Sequence, residues 1–331
     1  MERLDGFSRE KFNWVSTILC CPSCRKSLRE CGTTEAVGSL ICQSCSRVYP
    51  CSHGVIDFSM TVDDQKTQSG FSYQWQKRSR GGFERGTSYG RNIARRAKDI
   101  SDLFPAGESP GIILDAGCGA GDIAIELANR YSGATVIALD YSTSVFEIAN
   151  RPELPSNVIL IRGDIRHLPF LEESMDVIYS IGVMHHTDNT RISFDAVAPF
   201  VRPAGKMITW LYPTAGEVPF YKLYYRIRDT HFAGIGYLLP NGIRATLVYA
   251  YAFLMFPYLR FSKYRHFFSE SPNSVTALDF LGSASLIIFD DITPRYQFRH
   301  EEAEVLSWYQ DAGFVDQQLD KAKLLYVGTM K

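Results

Sequence analysis

The sequence predicts an α/β protein built on a mostly parallel sheet with helices on both faces, and three observations carry that prediction. Between residues 111 and 212, near-continuous apolar strands alternate with amphipathic helices, the pattern of strands covered on both sides. The alternation resumes after residue 300 with EEAEVLSWYQDAGF and then LLYVGTM. The 331 residues are 45% apolar and 21% charged, an ordinary globular balance with room for a core domain and appendages.

The elements follow in chain order. Residues 1–60 form a Cys-rich module with short strand-like pieces at Gly38–Cys42 and Val48–Pro50. Residues 61–110 read as a polar, Gly-rich connector with an aromatic knot at Phe71, Tyr73 and Trp75, followed by a helix from Arg91 to Phe104. The core spans 111–212. Its strands are GIILDAG, ATVIALD, NVILIRGD, MDVIYSI and GKMITWLY, with helices at Asp122–Tyr131, Thr143–Asn150 and Arg191–Phe200. Residues 213–295 are aromatic-rich and helical in period. Residues 296–331 return a helix stopped at Gly313 and a terminal strand pair, which brings the sheet to seven strands.

Charge and hydropathy narrow the function classes. The formal net charge is −1, so no whole-chain pull toward nucleic acid exists. A DNA partner is not expected. The N-terminus MERLDGFSREKFNWV shows no apolar signal region, and a cytoplasmic location is expected. The most apolar run, Ala245–Leu259, is 15 residues long and contains a proline. A membrane span needs about 20 residues, so no transmembrane segment is expected. A buried or interfacial helix fits better.

Seven of the eight cysteines precede residue 52. Cys21-Pro-Ser-Cys24 and Cys42-Gln-Ser-Cys45 are two C-x-x-C pairs separated by 17 residues, the spacing of a tetrahedral, all-thiolate structural zinc site. Four thiolates leave no open coordination position, so catalysis by this metal is not expected. The run ILCCPSCRKSL to LICQSCSRVYPCSHGVIDF resembles the small zinc-ribbon protein that activates several eukaryotic and archaeal methyltransferases. The resemblance covers roughly residues 18–58 and implies a module that packs on a methyltransferase, here fused in cis.

The segment Ile112-Ile113-Leu114-Asp115-Ala116-Gly117-Cys118-Gly119-Ala120-Gly121 ends a strand in an acid and opens a helix through a G-x-G-x-G turn. The glycines permit conformations and close approach that a side chain would block. A nicotinamide site would space its glycines G-x-G-x-x-G to seat a pyrophosphate. An acid before the loop suits a ligand with an ammonium group instead. Asp140 ends the next strand, where a carboxylate can hold ribose hydroxyls. Asp164 ends the third, where it can take an adenine amino group while Ile165 offers its amide and apolar side chain. Any one of these acids alone reads as a turn or cap residue. Three at successive strand ends point to one ligand.

LDAGCGAG, ALDYS, GDIRHLPF and DVIYSIGVMHH, in this order, resemble the class I S-adenosylmethionine-dependent methyltransferases, of small-molecule type. The resemblance covers about residues 111–212 plus the C-terminal helix and strands. It implies a Rossmann-like fold and cofactor binding by Asp115, Gly117, Gly119, Gly121, Asp140, Tyr141, Asp164, Ile165 and Ile181. Tyr73 and Trp75 are candidate covers for the cofactor, with a core plug as the alternative. His185 and His186 follow the fourth strand and are candidate proton acceptors near neutral pH; the alternative is that they pack or face solvent. The resemblance also implies that residues 213–295 form a lid over the acceptor; the cations of the segment, Arg226 and Arg228 among them, suit an anionic group, and the alternatives are an extra helical layer packed on the core and a membrane-surface element at Ala245–Leu259. The expected activity is methyl transfer to a small-molecule acceptor, such as a natural-product, sugar, lipid or quinone-type intermediate. RNA methylation is the alternative, resting on the basic stretch from Lys77 to Lys98. A catalytically silent cofactor-binding partner protein is the second alternative.

Overall fold

The computed structural model describes residues 6–59, 65–79, 87–104, 109–214, 238–261 and 276–331. The chain divides into two compact units. The first comprises Met1–Val62, Ala97–Thr214 and Phe298–Lys331; the second comprises Asp63–Arg96 and Ala215–Gln297.

The first unit holds the sheet. Strands β6 (Ile112–Ala116), β7 (Thr135–Asp140), β8 (Val158–Arg162), β9 (Met175–Ile181) and β10 (Val201–Trp210) run parallel in the order β8-β7-β6-β9-β10. Strand β12 (Leu325–Met330) inserts antiparallel between β10 and β11 (Phe314–Asp320). These are the seven strands expected, with one antiparallel member. Central strands such as β7 are buried along nearly their whole length, because helices cover both faces: α4 (Asp122–Arg130), α5 (Ser144–Ile148), α6 (Thr190–Val197) and α10 (Glu302–Asp311). Asn157 ties one of these layers down. Its side-chain amide donates to the carbonyls of Ala128, Tyr131 and Ala134, tying the end of α4 to the turn that leads into β7.

The N-terminal module continues the same sheet. Strands β1 (Phe7–Ser8), β2 (Leu28–Gly32), β3 (Ala36–Cys42) and β4 (Val48–Ser52) form an antiparallel ribbon, and α1 (Arg9–Val15) packs on it. Strand β5 (Val55–Asp57) then pairs antiparallel with β4 and parallel with β8, Val55 opposite Leu160 and Ile56 opposite Ile161. Ribbon residues Phe7, Val37, Leu40 and Tyr49 share one buried cluster with core residues Leu114, Ile137 and Ile159. Arg25 reinforces the junction by donating to the carbonyls of Leu168 (2.7 Å) and Phe170.

The second unit is helical. It contains α2 (Gln65–Ser79), α7 (Asn241–Leu254), α8 (Phe256–Phe261) and α9 (Ala277–Ile292). Helix α3 (Thr87–Ser101) runs from the second unit into the first. Residues 65–79, read from sequence as connector, are therefore helix. Their pattern hid it, since a polar segment with a central Gly70 scores poorly on intrinsic propensity. Packing supplies the stability instead: Tyr73 stacks on Phe289 at 5.9 Å, and the Gln74 amide donates to Asp290 at 3.0 Å. Arg226 and Arg228 lie outside the described residues.

Candidate active site and metal centre

The glycine turn closes the carboxyl end of β6. Gly117, Gly119 and Gly121 all take positive φ, at 99°, 56° and 75°, a region open to glycine at little cost. Space is equally restrictive. A Cβ on Gly117 would stand 2.3 Å from the Val183 side chain, and one on Gly121 would stand 2.7 Å from Ile148. The amides of Gly117 and Cys118 both donate to the Leu139 carbonyl, which anchors the turn to β7.

Asp140 holds the turn from the other side. Its two carboxylate oxygens accept from the amides of Gly119 (2.7 Å) and Ser142 (2.8 Å). Ser144 donates to the Gly119 carbonyl at 2.6 Å and shares a 2.7 Å hydrogen bond with Ser142. Burial raises the Asp140 pKa, and these donors offset it only in part. Tyr141 follows in the same turn, half-buried.

Asp115 is buried within β6. Burial pushes its carboxyl up to about 8; the neighbouring Tyr179 hydroxyl opposes that rise and the nearby Asp140 charge adds to it. A cation beside it would favour the charged form. Asp164 has the opposite character. It caps the short helical turn Ile165–His167. Burial alone would raise its pKa, but His167 and the Arg166 guanidinium outweigh burial and hold it well below the usual carboxylate range. Arg166 donates through Nε and Nη2 to both Asp164 oxygens and through Nη1 to Asp188. Ile165 is buried beside it, and Ile181 sits half-buried at the end of β9.

His185 and His186 lie in the turn Met184–His186 that follows β9. The His185 ring is fully buried, and among the described residues neither ring nitrogen has a hydrogen-bond partner. It stacks on Tyr212 at 4.0 Å and meets Trp210 edge-on at 5.9 Å. Burial first, then His186, His300 and Arg299, drives its pKa well below the ordinary value, so the ring is neutral. His186 is also buried, 4.3 Å from His185 between ring centres.

The parallel strands thus bring Asp115, Gly117, Gly119, Gly121, Asp140, Tyr141, Asp164, Ile165, Ile181 and the two histidines to the carboxyl-terminal edge of one sheet, where α/β proteins bind ligands. Tyr73 and Trp75 belong to α2 in the second unit. The sequence reading missed Ser142, Ser144 and Val183, which shape the turn, and Arg166, which occupies Asp164. The short i to i+2 spacing of Asp164 and Arg166 was the available signal for the last.

The metal centre assembles as the spacing implied. The ligand atoms of Cys21, Cys24, Cys42 and Cys45 all lie within 4.8 Å of one another. Cys21 and Cys45 sulfurs are 3.7 Å apart, and those of Cys24 and Cys42 are 3.4 Å apart. Zinc–sulfur bonds of about 2.3 Å in a tetrahedron place sulfurs roughly 3.8 Å apart, so the set fits zinc. The amides of Ser44 and Cys45 both donate to the Cys42 sulfur at 3.4 Å, stabilising its thiolate. Cys20, Cys31 and Cys51 stand outside this set.

Comparisons with known proteins agree with this division. Residues 113–205 match the family model described as a methyltransferase domain, and residues 15–54 match that of the Trm112p-like protein. An uncharacterized chloroplastic methyltransferase of Arabidopsis thaliana is 24% identical over 243 residues, covering 65% of this chain and 68% of the relative. A sterol 24-C-methyltransferase of Schizosaccharomyces pombe is 27% identical, covering 37% of this chain and 33% of the relative. A malonyl-[acyl-carrier protein] O-methyltransferase of Xylella fastidiosa is 33% identical, covering 31% and 35%. The chain spans only about a third of the length of these last two. The matches make residues 113–205 a methyltransferase domain, set on the sheet edge that carries the candidate site. The same chain also carries a Trm112p-like ribbon at residues 15–54.

Proposed function

We propose that the chain transfers a methyl group from S-adenosylmethionine to a small-molecule acceptor in the cytoplasm. The observation that carries the cofactor is the buried, ammonium-seeking Asp115 beside a glycine turn that Asp140 holds in place. Asp115 takes the amino-acid end of the cofactor. Asp140 keeps acceptor capacity for ribose hydroxyls after binding two amides. Ile165 and Ile181 line the adenine side, and Asp164 meets the adenine amino group only by sharing its carboxylate with Arg166. The bound cofactor supplies a methyl group already activated on sulfonium. The chain's own work is alignment and exclusion of water. His185 is neutral, but burial drives its pKa well below the ordinary value, which makes it a weak proton acceptor, so no general base is assigned.

The small-molecule reading draws support from the near-neutral chain and from relatives that act on a sterol and on a malonyl carrier ester by their names. Those acceptors differ, so the class stays broad. RNA methylation is the second reading, favoured by the Trm112p-like ribbon. Calorimetry with S-adenosylmethionine, followed by labelled methyl transfer to small-molecule extracts and to total RNA, tests both. Label in the RNA fraction alone would overturn the acceptor class.

A further inference from the structure

We propose that Arg166 is a positioning residue that makes the adenine end of the site select an amino group over a keto group, which rests on S-adenosylmethionine being the cofactor. The turn Ile165–His167 follows β8, with Asp164 as its cap. The Arg166 amide donates to Asp164 Oδ1 at 2.9 Å. The side chain of Arg166 then folds back on the same carboxylate. Its Nε lies 3.1 Å from both oxygens, and Nη2 donates to Oδ2 at 2.7 Å. The remaining nitrogen, Nη1, donates at 2.9 Å to Asp188, in the segment after β9. All three guanidinium nitrogens therefore serve carboxylates, and the fork is held at both ends. It is not free to turn toward a keto oxygen.

The protonation state of Asp164 decides what it can recognise. An ionised carboxylate only accepts hydrogen bonds, whereas a protonated one can donate. Adenine offers an amino donor where hypoxanthine offers a keto oxygen, so a charged Asp164 accepts the first and disfavours the second. The Asp164 side chain is 21% exposed, which leaves an edge for a ligand. Three N–H groups fill the roughly four acceptor sites of its two oxygens only in part. Burial works against the charge, and Arg166 with His167 outweighs it. His167 Nδ1 stands 3.9 Å from Oδ2, too far for a hydrogen bond, so the close contacts belong to Arg166. The other charges around the turn are committed elsewhere. Arg162 of β8 pairs with Asp57 at 3.0 Å, and Arg191 pairs with Asp195 at 2.8 Å within α6, which packs on the turn. Asp140 of β7 accepts from Gly119 and Ser142.

The full chain is titrated by calorimetry with S-adenosylhomocysteine and with S-inosylhomocysteine, at about pH 7.5 and about pH 5.5. Wild type should prefer the adenosyl ligand by roughly 100-fold at both values. In Arg166→Gln the preference should fall, and fall further, by roughly tenfold, at the lower pH, where burial lets Asp164 take up a proton and donate to the keto oxygen. Asp115 serves the amino-acid end that both ligands share, so its titration cancels in the ratio. An Arg166 that only braces the fold would weaken both ligands alike, and a wild-type preference in Arg166→Gln at both pH values overturns the proposal. Should that variant fail to fold, Arg166→Lys takes its place. A lysine cannot span both oxygens as a fork, so the preference should still drop about threefold at the lower pH, and no drop is equally fatal. Wild-type protein that binds neither ligand overturns the cofactor reading, and the role of Arg166 with it.

Discussion

At the candidate cofactor site burial raises the pKa of both Asp115 and Asp140, and the two carboxylates differ in what offsets it. Asp115 has its pKa raised to about 8 by burial, with only partial relief from Tyr179. An unfolded aspartate titrates near pH 4. Between about pH 4 and pH 8 the native state therefore binds the extra proton, and stability falls as pH rises across that window. We expect the melting temperature of the cofactor-free protein to drop from pH 5 to pH 8, with Asp115→Asn flattening that slope in differential scanning calorimetry. An unchanged slope in the variant would mean that Asp115 ionises normally. Asp140 braces the amides of Gly119 and Ser142, and the proposed cofactor complex uses its remaining acceptor capacity for the ribose. Asp140→Ala should weaken S-adenosylmethionine binding by about 2–4 kcal/mol, the scale of lost hydrogen bonds to a charged, buried partner. Isothermal titration that returns the wild-type affinity would remove Asp140 from the site.

The ribbon and the sheet are one packed element, joined by β5. Because Tyr49 and Leu40 share a cluster with Ile137 and Ile159, the ribbon cannot unravel without exposing core surface. Elemental analysis is expected to give one zinc per chain. Stripping it with a chelator, or substituting Cys24→Ser, should destabilise the first unit by several kcal/mol and lower its melting as one transition. A separate low-temperature step, leaving the main transition in place, would show a ribbon that folds alone. The sequence made the metal legible because paired C-x-x-C spacing maps directly onto tetrahedral geometry. It made the core strands legible because buried parallel strands are continuous apolar runs, as in ATVIALD. The splice of β5 onto β8 was not legible. Val55-Ile56-Asp57 is too short to show a period, and its partner lies about 100 residues away. The helix at Gln65–Ser79 was equally hidden, since its stability comes from contacts such as Tyr73 on Phe289 and not from its own pattern.

At the scale of the whole molecule, electrostatics bears on the choice between the two proposed acceptor classes. Nucleic-acid binding draws on unneutralised cations and weakens steeply with salt. The chain has 35 Lys and Arg against 36 Asp and Glu, so no long-range field gathers phosphates. The basic stretch from Lys77 to Lys98 was the sequence feature in favour of RNA. Two of its members, Lys77 and Lys98, are engaged within the fold. Lys77 sits over the rings of Tyr73 and Tyr249, at 5.5 and 5.0 Å. Lys98 pairs with Asp102 at 2.8 Å. The Lys98 pair is exposed and easily exchanged, so low salt can still draw out some phosphate contacts. Filter binding with transfer RNA should therefore show retention at low salt that falls away by about 0.15 M, with no preference among RNA sequences. Tight, salt-resistant and sequence-selective retention would reverse the ranking and make RNA the acceptor to pursue.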